Sequence, residues 1–389
     1  MKVLVFSGKV PDLSGAFLHD VYLSEELQRR GHQVVFMSIE VPKEGVNGGT
    51  YRGLRFMHYS AASSYLETSQ IWICPHAPAL PYVRALNGRG YNRPIIATCH
   101  YDGNYLAITK NNPGRNIQWV EMLLFINTIM EPNFRKYIVP WPPNVIKTGL
   151  ARPILFEDNI LIREPFQGEY ITLVNANDNK GVKQFIEIAR NQPERKFLGI
   201  LPYYGVEYKL PDASDNVKWI PFDDDIRTIL KETRILLMPS YYESFGRVAV
   251  EAMLNGIPVL YSKTNPKSKY PGGSTEGIES WIKPVGVACH REKIEEWIHE
   301  IEVLDEPEVY AERSKQCREH IKAMDLFNEA SRIAKIVEDF SQENPVIVKK
   351  VVEQVTHQPQ VLSPSVPKEP PRGTPVGFSA LSGRLRIRR

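Results

Sequence analysis

The chain has 389 residues, 42% hydrophobic and 24% charged, the composition of an ordinary globular protein long enough for two domains. No run of 18 apolar residues occurs, so no spanning helix is expected, and the opening MKVLVFSGKV lacks the long apolar region and small-residue cleavage site of a secretory signal. The formal charge of +3 hides an asymmetry: residues 346–389 carry eight Lys or Arg against two Glu, a balance of +6, which leaves −3 for residues 1–345. Four widely spaced cysteines (Cys74, Cys99, Cys289, Cys317) form no metal-ligand pair and no disulfide framework. They are read as reduced and buried, and the location as cytoplasmic.

Residues 2–7 read as a buried parallel strand. A loop over Gly8–Gly15 leads to a helix carrying Leu18, Val21, Tyr22 and Leu27, which stops at Gly31-His32 before a strand over Gln33–Ser38. This βαβ unit predicts a parallel sheet with helices on its faces. Further strands are expected at Gly53–Tyr59, Ile71–Cys74 and Pro94–Cys99, the last running into His100. A histidine just past such a strand faces the crevice where open α/β sheets bind ligands. Residues 101–115 read as a polar loop. Trp119, Val120, Leu123, Leu124, Ile126 and Met130 then predict a buried apolar helix, followed by a strand at Tyr137–Pro140. Residues 145–168 show little periodicity, and the domain boundary is placed near Glu164–Gln167.

The second half opens with a strand at Tyr170–Val174 and a polar turn. A helix beginning at Lys180-Gly181 buries Phe185, Ile186, Ile188 and Ala189. Strands at Lys196–Leu201 and Asn216–Pro221 follow. Asp223, Asp224 and Asp225 are read as the acidic start of a helix rather than metal ligands, since no histidine or further carboxylate stands at ligand spacing.

The most informative stretch is 234–262. An apolar strand, Ile235-Leu236-Leu237-Met238, stops at Pro239-Ser240; a short loop carries Glu243, and a helix begins near Gly246. Val248, Ala249, Ala252 and Met253 form its apolar stripe, Gly256 suits a left-handed helix end, and a strand follows over Ile257–Tyr261. Free backbone N–H groups at a helix start attract an anion. Glu243 at the mouth is placed to accept from sugar hydroxyls, and Glu251 on the helix to hold the paired hydroxyls of a ribose.

Glu243-Ser-Phe-Gly-Arg-Val-Ala-Val-Glu251, with its lead from Met238 and its tail to Leu260, resembles the E-x7-E signature of retaining glycosyltransferases of family 4. That resemblance implies the GT-B fold: two doubly wound Rossmann-like α/β domains, 1–165 on the acceptor side and 166–328 holding the donor, facing across a cleft. A helix at 329–344 would pack back on the first domain. It implies sugar transfer from a nucleotide-diphosphate sugar with retention, without a metal or other cofactor. Glu243 and His100 would lie at the donor sugar, the family carrying a His at the end of the corresponding strand. Gly15, Lys180, Ser244, Phe245, Gly246, Arg247 and Glu251 would hold the donor. The chain departs from the pattern twice. Only the second of the family's paired glycines is present, as Gly15. Asn175 stands where the family places a diphosphate-binding Arg, a cation that Arg247 is positioned to replace.

Glu243 is open to two roles, nucleophile or positioning group in a same-face displacement. The acceptor is open among glycan, lipid-linked and small-molecule hydroxyls. Two other functions compete: glycosyl transfer to modified bases of DNA, and a GT-B module that binds sugar nucleotides without turnover. The acidic body counts against a broad DNA footprint. Residues 345–389, with seven prolines and the basic end Gly383–Arg389, are read as disordered. They offer at most a weak contact with nucleic acid or anionic membrane.

Overall fold

The structure, a computed structural model, describes residues 1–7, 15–39, 48–75, 79–101, 117–164, 168–202, 214–223, 225–264 and 275–346. The expectations placed on the loop over 8–14, on residues 102–116, on the boundary residues 165–167 and on the tail beyond Val346 lie outside these residues.

Two sheets carry the fold. The first has eight strands, β1 (Lys2–Ser7), β2 (Gln33–Ser38), β3 (Gly48–Tyr51), β4 (Leu54–His58), β5 (Ile71–Ile73), β6 (Ile95–Cys99), β7 (Met122–Phe125) and β8 (Lys147–Leu150), in the order β3-β4-β2-β1-β5-β6-β7-β8. The second has six, β9 (Tyr170–Leu173), β10 (Phe197–Ile200), β11 (Val217–Ile220), β12 (Thr233–Met238), β13 (Val259–Ser262) and β14 (Val287–Cys289), in the order β11-β10-β9-β12-β13-β14. All pairings are parallel except β3–β4. Each order reverses once, between β1 and β5 and between β9 and β12. Such reversals are where open α/β sheets leave a crevice beyond their strand ends.

The helices are α1 (Gly15–Arg29), α2 (Ser63–Thr68), α3 (Leu80–Asn87), α4 (Met130–Tyr137), α5 (Val182–Arg190), α6 (Ile226–Leu230), α7 (Arg247–Leu254), α8 (Glu276–Ile282), α9 (Ile294–Val303), α10 (Pro307–Ala323) and α11 (Glu329–Glu343). Runs such as Val3–Phe6 and Leu236–Met238 are buried along their whole length, as strands covered on both faces must be. The last helix, α11, joins the first sheet's core through Ala330, Ile333, Ala334, Val337 and Phe340. Arg30 and His32, at the end of α1, both meet the Glu338 carboxylate, at 2.5 and 2.6 Å. Arg152 and Arg332 meet the buried Glu329.

Two expectations fail in the first domain. The apolar residues 119–130 are not a helix: Ile117–Trp119 is a 3-10 turn and Met122–Phe125 is strand β7, buried throughout. A run of four buried residues between two neighbours satisfies helical spacing by chance, because nothing in it is polar enough to mark a face. The strand expected at Tyr137–Pro140 is the end of helix α4 and the turn after it. The last strand of that sheet is instead β8, inside the stretch read as featureless. Its residues, Lys-Thr-Gly-Leu, are only half-buried at the sheet edge and carry no apolar run. The hairpin β3–β4 also went unread. Its two-residue turn, Arg52-Gly53, has φ of +49° and +77°, the geometry that matches strand twist in tight hairpins.

Candidate functional site

The site is built where β12 ends. Pro239 and Ser240 close the strand, Glu243 lies on the following loop, and Gly246 starts α7 in the left-handed region at φ +78°. A Cβ at Gly246 would sit 2.5 Å from Ile278 Cδ1, so glycine is required for backbone and space alike. Across the crevice, Gly181 starts α5 at φ +79°, and a Cβ there would lie 2.1 Å from the Pro239 carbonyl. The Tyr241 N–H donates to the Asn179 carbonyl at 2.7 Å. The two loops are thereby locked together, and this brings Lys180 to Glu243.

Lys180 Nζ donates to Glu243 Oε1 at 2.5 Å, and Ser240 Oγ donates to the same oxygen at 2.8 Å. Glu243 is buried, so its charge is held by a paired cation and a hydroxyl rather than by water. At the start of α7, Arg247 Nε donates at 2.7 Å to Oε1 of Glu251, one turn further on. Burial works against the Arg247 charge, but Glu251 and Tyr22 outweigh it and hold the guanidinium above its ordinary pKa. Its Nη1 is buried without a hydrogen-bond partner, and the group lies 5.5 Å from the Tyr22 ring.

Lys180, Glu243, Gly246, Arg247 and Glu251 line one cavity of about 510 Å³, together with Gly15 of α1. Six of the nine predicted residues thus meet in one place. Asn175 lines it too, with φ +63°, its carbonyl and Oδ1 each accepting from Asn177 Nδ2 at 3.0 Å. The cavity wall also holds residues that sequence reasoning passed over, chiefly Tyr22, Arg52, Phe222 and Arg227. A signal for Tyr22 existed, since it stands seven residues, two helical turns, beyond Gly15 on the same face.

Three predicted residues are not among those lining the cavity. Phe245 is buried in the core, stacked on Trp281 with centroids 5.3 Å apart, and its carbonyl accepts from Trp281 Nε1 at 2.8 Å. The Ser244 carbonyl accepts from Asn127 Nδ2 of the first domain at 2.6 Å. Both anchor the loop that presents Glu243. The third, His100, follows β6 and packs against α1.

There His100 Nε2 lies 3.8 Å from Asp20 Oδ1, and its ring meets that of His19 edge-on with centroids 4.9 Å apart. Their ligating atoms fall within 4.8 Å of one another, a spacing that a metal ion would accept. The chemistry does not fit one: the Ile154 N–H donates to His19 Nδ1 at 3.3 Å, which leaves the proton on Nε2. Burial pushes the Asp20 carboxyl up, opposed by His100, and drives His19 well below the usual histidine range, helped by His100 and Arg247. Asp225, of the acidic run, caps α6 by accepting from Arg227 N at 3.1 Å.

Comparison with known proteins bears on this arrangement. The family described as glycosyl transferases group 1 matches residues 207–324, which include the whole of the Glu243–Glu251 stretch. A curated protein of Haemophilus influenzae, named an uncharacterized glycosyltransferase, is 29% identical over 133 residues, 34% of this chain; the match spans 33% of that relative's length. Among solved structures, sucrose-phosphate synthase from Thermosynechococcus elongatus superposes with a TM-score of 0.67 at 15% identity, covering 88% of this chain and 99% of that one. The Anabaena protein HepE in complex with UDP-glucose gives 0.68 at 13%, covering 87% and 100%. The chain therefore has the GT-B fold, and its residues 207–324 are similar to the glycosyl transferases group 1 family.

Proposed function

We propose that this protein is a retaining glycosyltransferase of family 4, which transfers a sugar from a nucleotide-diphosphate sugar to a hydroxyl acceptor. The observation that carries the proposal is the pair of buried acids spaced as in the family's signature, each already bonded to a cation, Lys180 or Arg247, in one cavity at the strand ends. The likeness to HepE, solved with UDP-glucose, makes uridine nucleotides the first donors to try.

In this reading the leaving nucleotide diphosphate departs with negative charge, and Lys180, Arg247 and the start of α7 are aimed at that charge. Arg247 supplies the cation absent at Asn175; its unpartnered Nη1 is a buried donor in want of an acceptor. Glu251 holds the ribose hydroxyls, which must share its carboxylate with Arg247. Glu243 lies at the donor sugar, as nucleophile or as the group that positions it for same-face displacement. Charge is balanced by side chains, with no metal or other cofactor in the scheme, and the chemistry takes place in the cytoplasm.

The test is slow donor hydrolysis without acceptor, followed by the release of nucleotide and by NMR of the freed sugar. One nucleotide series turns over, and the first-formed sugar keeps the donor's anomeric configuration. Inverted sugar overturns retention. Tight donor binding with no turnover, even with acceptor hydroxyls supplied, overturns the enzyme and leaves a sugar-nucleotide-binding module.

A further inference from the structure

The cluster of His19, Asp20 and His100 is unexplained by anything above. His19 and Asp20 are 1% and 4% exposed, and His19 Nε2, Asp20 Oδ1 and His100 Nε2 are all buried without a hydrogen-bond partner. Three converging polar atoms left unpaired are costly, so a native protein retains them where they serve a purpose. Their place is telling. Gly15, Leu18 and Tyr22 of α1 line the cavity, and His19 lies one turn beyond Gly15 on the adjoining face. Arg247 of the second domain is near enough for its charge to act on His19.

The tautomers follow from the surroundings. With Nδ1 accepting the Ile154 N–H, His19 presents Nε2–H to the cluster as a donor. Asp20 Oδ1 is the acceptor of the three, and it lies 3.8 Å from His100 Nε2, within ion-pair range though longer than a hydrogen bond. A buried carboxylate beside a ring nitrogen draws the ring's proton to that nitrogen. It therefore holds His100 as the Nε2–H tautomer and leaves the lone pair on Nδ1.

We propose that Asp20 is a positioning residue for His100. Its carboxylate fixes the tautomer and orientation of the imidazole, so that Nδ1 is the ring's acceptor for a hydroxyl of the sugar being transferred. His19 Nε2–H, within 4.8 Å of the same carboxylate, packs beside it and limits how far Asp20 can turn from His100. The inference rests on the reading of His100 as a donor-site residue, and the test separates the two.

The experiment uses the full chain with 15N-labelled histidine. Long-range 1H–15N spectra report which nitrogen of His100 is protonated, assigned by comparison with His100→Gln. The wild-type ring shows the Nε2–H tautomer, and the near-isosteric Asp20→Asn populates the Nδ1–H form. Unchanged tautomers in Asp20→Asn overturn the proposal. If that variant does not fold, His19→Gln provides the second probe. It lowers the Nε2–H population by loosening the carboxylate, and an unaltered His100 spectrum there is equally contrary.

Kinetics add an independent arm. Asp20→Asn lowers kcat about 10-fold to 100-fold, the loss expected when a charge-assisted hydrogen bond is removed, with donor KM within about twofold. It has no further effect in a His100→Ala background. Additive losses overturn the proposal. If His100→Ala alone leaves turnover intact, the donor-site reading of His100 fails, and the proposed role for Asp20 in catalysis fails with it. The spectra still decide whether Asp20 sets the ring.

Discussion

The two acids of the site are held differently, and this predicts different failures. Glu243 is anchored from two sides, by Lys180 and Ser240, on a loop pinned by Phe245 and Trp281. Removing its carboxylate leaves the half-buried Lys180 ammonium without that partner. Glu243→Ala is expected to cut kcat by about 100-fold or more, the scale of a lost electrostatic or nucleophilic group, with donor affinity largely kept. Glu251→Gln is expected to raise donor KM or Kd about tenfold with little change in kcat, as a residue that binds ground and transition states alike would. Full activity in Glu243→Ala, or the two patterns exchanged, removes these assignments. Of the residues that line the cavity, Glu243, Gly246, Arg247 and Glu251 could be read together because they lie in one unbroken stretch, whereas Gly15 and Lys180 were reached only through the family resemblance. Arg52 was not legible, since it reaches the cavity from a hairpin turn and only the tertiary fold brings it there, while Tyr22 was marked only by its two-turn spacing beyond Gly15. Ser244 and Phe245 lie inside the motif yet face the loop's supports, a distinction that a linear pattern cannot carry.

Among the elements, α11 is tied to the first sheet by charge as well as by apolar packing. Arg30 holds the Glu338 carboxyl down to about 2, against the opposing effect of burial, and His32 adds to the shift. A depressed carboxyl stabilises the fold above its ordinary pKa near 4.5, and that contribution is lost as pH falls from there through about 2. Because the group is near the surface, its worth at neutral pH is on the order of 1 kcal/mol rather than the full shift. Glu338→Gln should lower Tm at pH 7 by a degree or two, roughly the size scaling for a domain this large, and the gap should close as pH falls below about 4.5. A gap independent of pH would show that packing alone docks the helix. The helices and strands with strong periodicity, α1, α5, α7 and the central strands, were readable from residues alone. Strand β7 and strand β8 were not. One has no polar face to mark its period, and the other has no apolar face to mark its burial.

At the scale of the molecule, the doubly wound order of the two sheets was foreseeable from repeated strand–helix units, and the crevice follows from where each order reverses. The cavity takes Gly15, Tyr22 and Arg52 from the first domain and Lys180, Glu243, Arg247 and Glu251 from the second. On the proposed function, a donor bound there would touch both halves and favour a closed arrangement that keeps water from the sugar. The central claim is that this cavity binds a nucleotide-diphosphate sugar through Glu251. The most direct test is thermal stability of the full chain against UDP-, GDP-, ADP- and CMP-sugars, in the wild type and in Glu251→Ala. A ligand at a hundred times its Kd adds about 2.7 kcal/mol to the folded state, a clear rise in Tm. The account predicts that rise with one nucleotide series and its loss in Glu251→Ala. A rise that survives in Glu251→Ala, or no rise with any donor at millimolar concentration, would contradict it.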